Sequence, residues 1–151
     1  MTSFVIRDAA ADDMAALSGV YRRSSLSNEG DRPNLLARPE TLEFSDLAVR
    51  EGRTRAAVAA GQIVGFASWA DGGDGFEIED MFVDPEWMRR GIGRALALDM
   101  IAIARGRGVG RVEVTANPHA LAFYEKAGFV VYREVATTFR TAPRMRLDVT
   151  G

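Results

Sequence analysis

Between Ile92 and Ala104 the sequence IGRALALDMIAIA carries charge only at Arg94 and Asp99. A helix this apolar must be covered over most of its circumference, and in a chain of this size the natural cover is a sheet. The helix is predicted over 91–105, with Gly106 and Gly108 ending it. Strands stand directly before it. Segments 55–59 and 63–69 are rich in Val, Ala and Phe, and the Ala60-Gly61 pair between them predicts a tight hairpin turn. A second turn, Asp71-Gly72-Gly73-Asp74-Gly75, leads into a strand over 76–83 that stops at Asp84-Pro85.

The flanks extend the pattern. A strand is predicted over 4–7, then a helix over 11–25 opened by Asp12 and Asp13, with Met14, Leu17 and Tyr21 on one face. Segment 24–39 holds turn formers without a period, and 39–51 returns to a helix-like pattern through Leu42, Leu47 and Val49. Segment 112–115 is a β-branched strand, 118–126 a helix with proline in its first turn, and Gly128 a C-cap leading into a strand over 129–135. A strand over 145–149 closes the sheet. The result is an α/β chain with a mixed sheet and no internal repeat.

At 151 residues one domain spanning 1–151 is expected, and 47% apolar with 26% charged residues suits a globular protein. The formal charge is −2 and the basic residues are scattered, so no nucleic-acid partner is expected. The absence of cysteine excludes disulfides, thiolate zinc sites and a cysteine acyl-enzyme. No His, Asp and Glu cluster has metal-ligand spacing, so no metal is expected. The first residues lack a signal-peptide pattern and no stretch is long enough to span a bilayer, so no membrane partner is expected and the cytoplasm is the expected compartment. Exposed strand edges leave a homodimer open.

Segment 83–93, VDPEWMRRGIG, joins the strand over 76–83 to the apolar helix through a loop that is basic and then glycine-rich. Without Cβ atoms at Gly91 and Gly93, an anion can approach the N–H groups of the helix's first turn, where the macrodipole adds roughly 0.3–1 kcal/mol. Arg89 and Arg90 can add charge-assisted hydrogen bonds. Two nucleotide motifs fail here: a Walker loop needs Gly-Lys followed by Ser or Thr, and a dinucleotide fingerprint wants a small residue where Leu96 stands. A Gly-x-Gly alone is equally well an ordinary strand-to-helix turn.

Segment 83–93 resembles the coenzyme-A-binding motif of the GCN5-related N-acetyltransferase (GNAT) family, whose pattern is Arg or Gln, two residues, then Gly-x-Gly or Gly-x-Ala. NPHALAFYEKAGF over 117–129 resembles the family's second signature, and Ile63-Val-Gly-Phe66 its central hairpin. One departure is Met88, which stands where the family has Arg or Gln. The resemblance implies a central, mostly antiparallel sheet of about seven strands flanked by about four helices, and direct transfer of an acetyl group from acetyl-CoA to an amine. It implies that Met81, Phe82 and Val83 pair with the pantetheine arm, with an amide near Phe82 meeting the oxyanion. Met88, Arg89, Arg90, Gly91, Ile92, Gly93 and Arg94 would hold the diphosphate, and Asn117, Phe123 and Tyr124 would complete the coenzyme site. Tyr124 takes the place of the hydroxyl that approaches the departing sulfur.

An alkylammonium has a pKa near 10.4, so its proton must be removed directly or through water. Glu77 and Glu79 are the candidate bases, and strand alternation sets them on one face with Asp80 on the other unless a bulge intervenes. His119, the only histidine, starts the helix near the coenzyme, where its neutral form could accept a proton, but it reads first as a surface residue beside a proline. The acceptor is a small molecule or a peptide amine. Asp71, Asp74, Glu77, Glu79 and Asp80 point to a cationic one, and segments 24–39 and 135–143 should govern its choice. Two other readings stay open: a coenzyme-binding module without turnover, and an enzyme using another acyl group.

Overall fold

The computed structural model describes residues 3–28, 30–72, 75–137 and 140–149. Seven strands, β1 (Val5–Asp8), β2 (Thr54–Ala59), β3 (Gln62–Gly72), β4 (Gly75–Val83), β5 (Arg111–Thr115), β6 (Val130–Ala136) and β7 (Thr141–Asp148), form one sheet in the order β1-β2-β3-β4-β5-β7-β6. Only β4 and β5 pair in parallel; the other neighbours are antiparallel. The α-helices are α1 (Met14–Leu26), α2 (Arg32–Ala37), α3 (Leu47–Arg50), α4 (Ile92–Gly106) and α5 (Leu121–Lys126). Among the described residues no helix is long and apolar enough to cross a membrane.

Segment 24–51 departs from its sequence reading. The helix-like stretch at 39–51 is a 3-10 turn at Pro39–Leu42, an extended Glu43, and the single turn α3. The helix α2 lies instead in the stretch that showed no period. Its signals are punctuation, not periodicity: Pro33 sits in its first turn, where a missing N–H costs nothing, and Pro39 stops it. Two short helices, α2 and α3, thus raise the helix number above the expected four. In the second hairpin Gly72 pairs with Gly75, while Gly73 and Asp74 lie outside the described residues. The first hairpin turns at Ala60 (φ 50°) and Gly61 (φ 76°), a left-handed pair that matches the twist of the flanking strands.

The sheet is packed on both faces. On one, α4 lays Ile92, Leu96, Met100 and Ile101 against Val64, Trp69, Phe76, Ile78, Val112 and Met145. Burying each large side chain there contributes about 1.5–3 kcal/mol. Only a narrow stripe of α4, Arg94, Leu98, Ala102 and Arg105, and its last residue Gly106 are exposed, and Asp99 is paired with Arg55 of β2 at 2.9 Å. On the opposite face α1 lays Leu17 and Val20 against Ala56, Ile63 and Phe66, with Tyr21, Phe44 and Phe82 at the margin.

Two irregularities of β4 prepare the site. Its pairing with β5 covers only Phe76, Glu77 and Ile78 against Val112, Glu113 and Val114. On its other side the register with β3 runs Ser68 to Asp80 and then Trp69 to Ile78, so Glu79 is an extra residue, a β-bulge. The bulge inverts the alternation. Phe76 and Ile78 face α4, which sends Glu77 to the α1 face; beyond the bulge Phe82 belongs to the α1 cluster. Asp80, bonded to Ser68 on β3, therefore shares Glu77's face, contrary to simple alternation.

Gly65 lies where β3, β4 and α4 meet most closely. A Cβ there would sit 3.0 Å from the Phe82 carbonyl oxygen and 3.1 Å from Ile92 Cγ2. Gly65→Val should destabilise the protein by about 1–3 kcal/mol, lowering Tm by roughly 5 °C in a thermal melt. An unchanged Tm would contradict this contact.

Candidate active site

The loop after β4 is shaped by its own side chains. Asp84 accepts the Glu86 N–H at 3.3 Å and takes Arg23 at 2.7 Å, and Pro85–Trp87 makes a 3-10 turn. The chain then passes through two left-handed residues, Arg89 (φ 65°) and Gly91 (φ 84°), before entering α4. Nothing stands within 4 Å of a Cβ at Gly91, so that glycine serves conformation and leaves the first-turn N–H groups approachable. Gly93 works differently: a Cβ there would lie 3.2 Å from the Phe123 ring, so its role is close packing of α4 on α5.

The second wall is β4 itself. Asp84 gives its N–H to Val64 of β3 at 2.8 Å, and the Phe82 carbonyl also lies on the β3 side, beside Gly65. Alternate residues of a strand present their backbone groups to opposite neighbours. The amides of Met81 and Val83 therefore face the side that β5 has left. Of the amides near Phe82 that were expected to meet an oxyanion, those of Met81 and Val83 are the ones so placed; Phe82 itself is turned to β3, and its ring stands 5.0 Å from Tyr21 and 5.5 Å from Phe66.

Between these walls lies a cavity of about 620 Å³. Met81, Val83, Met88, Arg89, Gly91, Gly93, Arg94, Phe123 and Tyr124 all line it, so nine of the predicted residues converge. The other predicted coenzyme residues stand elsewhere. Ile92 is buried in the core, leaving only its main chain to contribute. Arg90 lies over the Trp87 ring at 4.7 Å. Asn117 caps the turn at Pro118, accepting the His119 N–H at 3.0 Å, and its amide reaches Asp31 at 3.4 Å instead of the cavity. Sequence reasoning did not assign Trp87 or Lys126 to this site, and it placed His119 near the coenzyme without counting it among the binding residues. For Lys126 a signal existed: it follows Ala122 and Phe123 at helical spacing on α5. The lining holds Arg89, Arg94 and Lys126 and, among the described residues, no carboxylate, which suits a polyanion. A neighbouring cleft of about 550 Å³ beyond Trp87 contains Asp84 and Glu86 and touches neither the glycine loop nor Tyr124.

Tyr124 is 4% exposed, its ring packed edge-on against Phe123 and Phe129. Its hydroxyl makes no hydrogen bond among the described residues, and burial pushes its pKa above the ordinary phenol range. It is a proton holder, fit to donate a hydrogen bond.

Glu77 and Asp80 stand on the α1 face, with Glu79 in the bulge between them. Glu77 has both oxygens on Arg144, one at 2.6 Å, and Arg144 also reaches Thr115 at 3.0 Å and Glu113 at 3.8 Å. Glu79 is held by Arg53 at 2.6 Å and is 42% exposed. Asp80 is mostly buried, and burial raises its pKa; the Ser68 hydrogen bond opposes the shift, the Glu79 charge adds to it and the Arg53 charge opposes it. At the end of β5, Asp31 gathers Asn117, Arg140 and His119, the last at 3.6 Å. Among the described residues no group of three His, Cys, Asp or Glu could hold a metal ion.

The sequence matches the model of the acetyltransferase (GNAT) family over residues 17–129. It is 31% identical over 146 residues to glucosamine 6-phosphate N-acetyltransferase of Trypanosoma brucei brucei, covering 86% of this chain and 93% of that protein. It is 30% identical over 128 residues to the chloroplastic serotonin N-acetyltransferase 2 of Oryza sativa subsp. japonica, covering 84% of this chain and 61% of that one. In fold it is similar to the PaiA N-acetyltransferase of Thermoplasma acidophilum, solved in complex with coenzyme A, with a TM-score of 0.77 at 20% identity over 97% of this chain and 99% of that one.

Gly91→Glu should weaken coenzyme A binding at least about tenfold, because it sets a carboxylate beside the first-turn amides and strains a left-handed residue by about 1–2 kcal/mol. Isothermal titration calorimetry checks this, and wild-type affinity would exclude the loop as the phosphate site.

Proposed function

This chain belongs to the GNAT acetyltransferase family and is an N-acetyltransferase, and we propose that it carries the acetyl group of acetyl-coenzyme A directly to a primary amine. The observation that supports this most is the cavity between the glycine loop and the splayed β4, lined by Arg89, Arg94 and Lys126 and reached by a tyrosine whose hydroxyl has no partner among the described residues.

In this reading the first-turn amides of α4, with Arg89, Arg94 and Lys126, hold the diphosphate. Met88 contributes apolar contact where the family has Arg or Gln, and the charge enters through its neighbour Arg89. The pantetheine arm pairs with the Met81 and Val83 amides, which also offer an N–H where negative charge develops on the acyl oxygen. When bound, the thioester supplies an acyl carbon open to attack and a thiol as leaving group.

Tyr124 donates a hydrogen bond to the departing sulfur. Its raised pKa exceeds that of a thiol, about 8.5, so full transfer of the phenol proton is unfavourable and the contribution is electrostatic. We assign removal of the ammonium proton to Asp80, in place of Glu77 and Glu79. Glu77 is committed to Arg144 and Glu79 to Arg53, whereas one Asp80 oxygen lies outside the Ser68 bond. A carboxylate whose pKa is raised is also the better base near neutrality. The carboxylates on the α1 face favour an acceptor that arrives as a cation. The first experiment is thiol release from acetyl-coenzyme A with glucosamine 6-phosphate, serotonin, ornithine, spermidine and a peptide N-terminus. Tight coenzyme binding without release for any amine would count against transfer.

Variants test the two roles. A hydrogen bond to a charged group contributes about 1.5–3 kcal/mol, so Tyr124→Phe should lower kcat roughly tenfold to a hundredfold with little change in KM. Asp80→Asn should lower kcat about a hundredfold or more and abolish the acidic limb of the pH profile. It should also stabilise the fold. A carboxyl whose folded pKa exceeds its unfolded one favours the native state at low pH, and that advantage is lost as pH rises through the folded value. At pH 8 Asp80→Asn should therefore melt roughly 2–4 °C higher, with the gap closing near pH 4. Full activity in Asp80→Asn would refute its role as base.

A further inference from the structure

The bulge at Glu79 is spanned by one side chain. Arg53 stands just before β2, and its backbone N–H is given to the Ala48 carbonyl at 2.7 Å, in the turn that ends α3. The Trp69 N–H reaches the Arg53 carbonyl at 3.0 Å, but the Trp69 carbonyl finds no return N–H from Arg53. The Arg53 guanidinium serves that carbonyl instead. The same nitrogen, Nη1, reaches Glu79 Oε1 at 2.6 Å, while Nε and Nη2 take Glu51 Oε1 at 2.9 and 2.6 Å.

Trp69 and Glu79 lie on the two strands at the break in register, so the guanidinium ties one side of the irregularity to the other. The Arg53 side chain is 16% exposed, far less than Glu51 at 52% or Glu79 at 42%. A guanidinium that withdrawn from water needs its donors engaged, and its rigid planar fork holds several acceptors in fixed directions, which the compact point charge of an ammonium does not. Asp80 follows Glu79 directly, and its face of the sheet depends on the bulge keeping its place.

We propose that Arg53 is a positioning residue that clamps the β4 bulge and so holds the Asp80 carboxyl on the α1 face. The inference rests on the reading of Asp80 as the base, but it concerns geometry and is testable without an acceptor. The groups facing Asp80 are Ser68 from β3, Tyr21 from α1, Glu79 on its own strand and Arg53 before β2. Of these only Arg53 brings a positive charge, and that charge opposes the upward shift of the Asp80 carboxyl.

The test is NMR on the whole protein, following amide exchange over 79–82 and the carboxyl-carbon titration of Asp80, assigned with Asp80→Asn. In Arg53→Met, exchange over 79–82 should accelerate at least about tenfold and the Asp80 midpoint should rise by about half a pH unit or more. Arg53→Lys keeps the charge without the fork, so it should restore the midpoint but not the protection. A merely structural arginine would not separate these two readouts. Wild-type protection in Arg53→Met overturns the proposal. If that variant does not fold, Arg53→Lys decides: lost protection over 79–82 supports the clamp and wild-type protection overturns it. Full turnover by Asp80→Asn would sink the base and leave the clamp standing, whereas wild-type protection would do the reverse.

Discussion

The parallel pairing of β4 with β5 lasts three residues, Phe76 to Ile78, and then the two strands part. Backbone amides in a sheet are obliged to find partners, so parting them is costly unless something else takes the bonds. On the β3 side the ladder continues to Asp84. On the β5 side Met81 and Val83 are left with amides aimed at the cavity, beside a helix whose first-turn N–H groups aim the same way. The glycine loop, the aromatic pair Phe123 and Tyr124, and the three lining cations are arranged around that opening.

The strand that opens the site also partitions its charge. The cavity on the α4 side is lined by Arg89, Arg94 and Lys126 without an acid among the described residues, while the α1 side gathers Glu77, Asp80 and Glu113. A sheet one residue thick thus separates a surface suited to phosphate from one suited to ammonium. The acids are not equivalent. Glu77 is committed to Arg144 and Glu79 to Arg53, whereas Asp80 is mostly buried with a serine on one oxygen, and that burial holds its pKa above the ordinary carboxylate value.

Much of this was legible in the residues. The strands and α4 follow from alternation and from an apolar run too continuous for a surface, and nine predicted residues line one cavity because the motif is local to one loop and one helix. What escaped depended on contacts distant in sequence. The bulge at Glu79 leaves no mark in FEIEDMFV, so the faces of Glu77 and Asp80 and the orientation of the Phe82 amide could not be counted out along the strand. Arg53 lies 26 residues before Glu79 and is unremarkable without it. Segment 24–51 misled because its helices are set by prolines and polar ties, not by a repeating apolar face.

The unpaired stretch of β4 blurs the line between protein and ligand. An extended amide-bearing molecule laid along Met81 and Val83 is, to the backbone, one more strand, completing an inventory of bonds that the chain begins and does not finish. Occupancy and folding then become a single thermodynamic quantity: a ligand at a hundred times its Kd adds about 2.7 kcal/mol to the native state. Any ligand that paired with such an edge would, by the same measure, tighten the closure of the sheet.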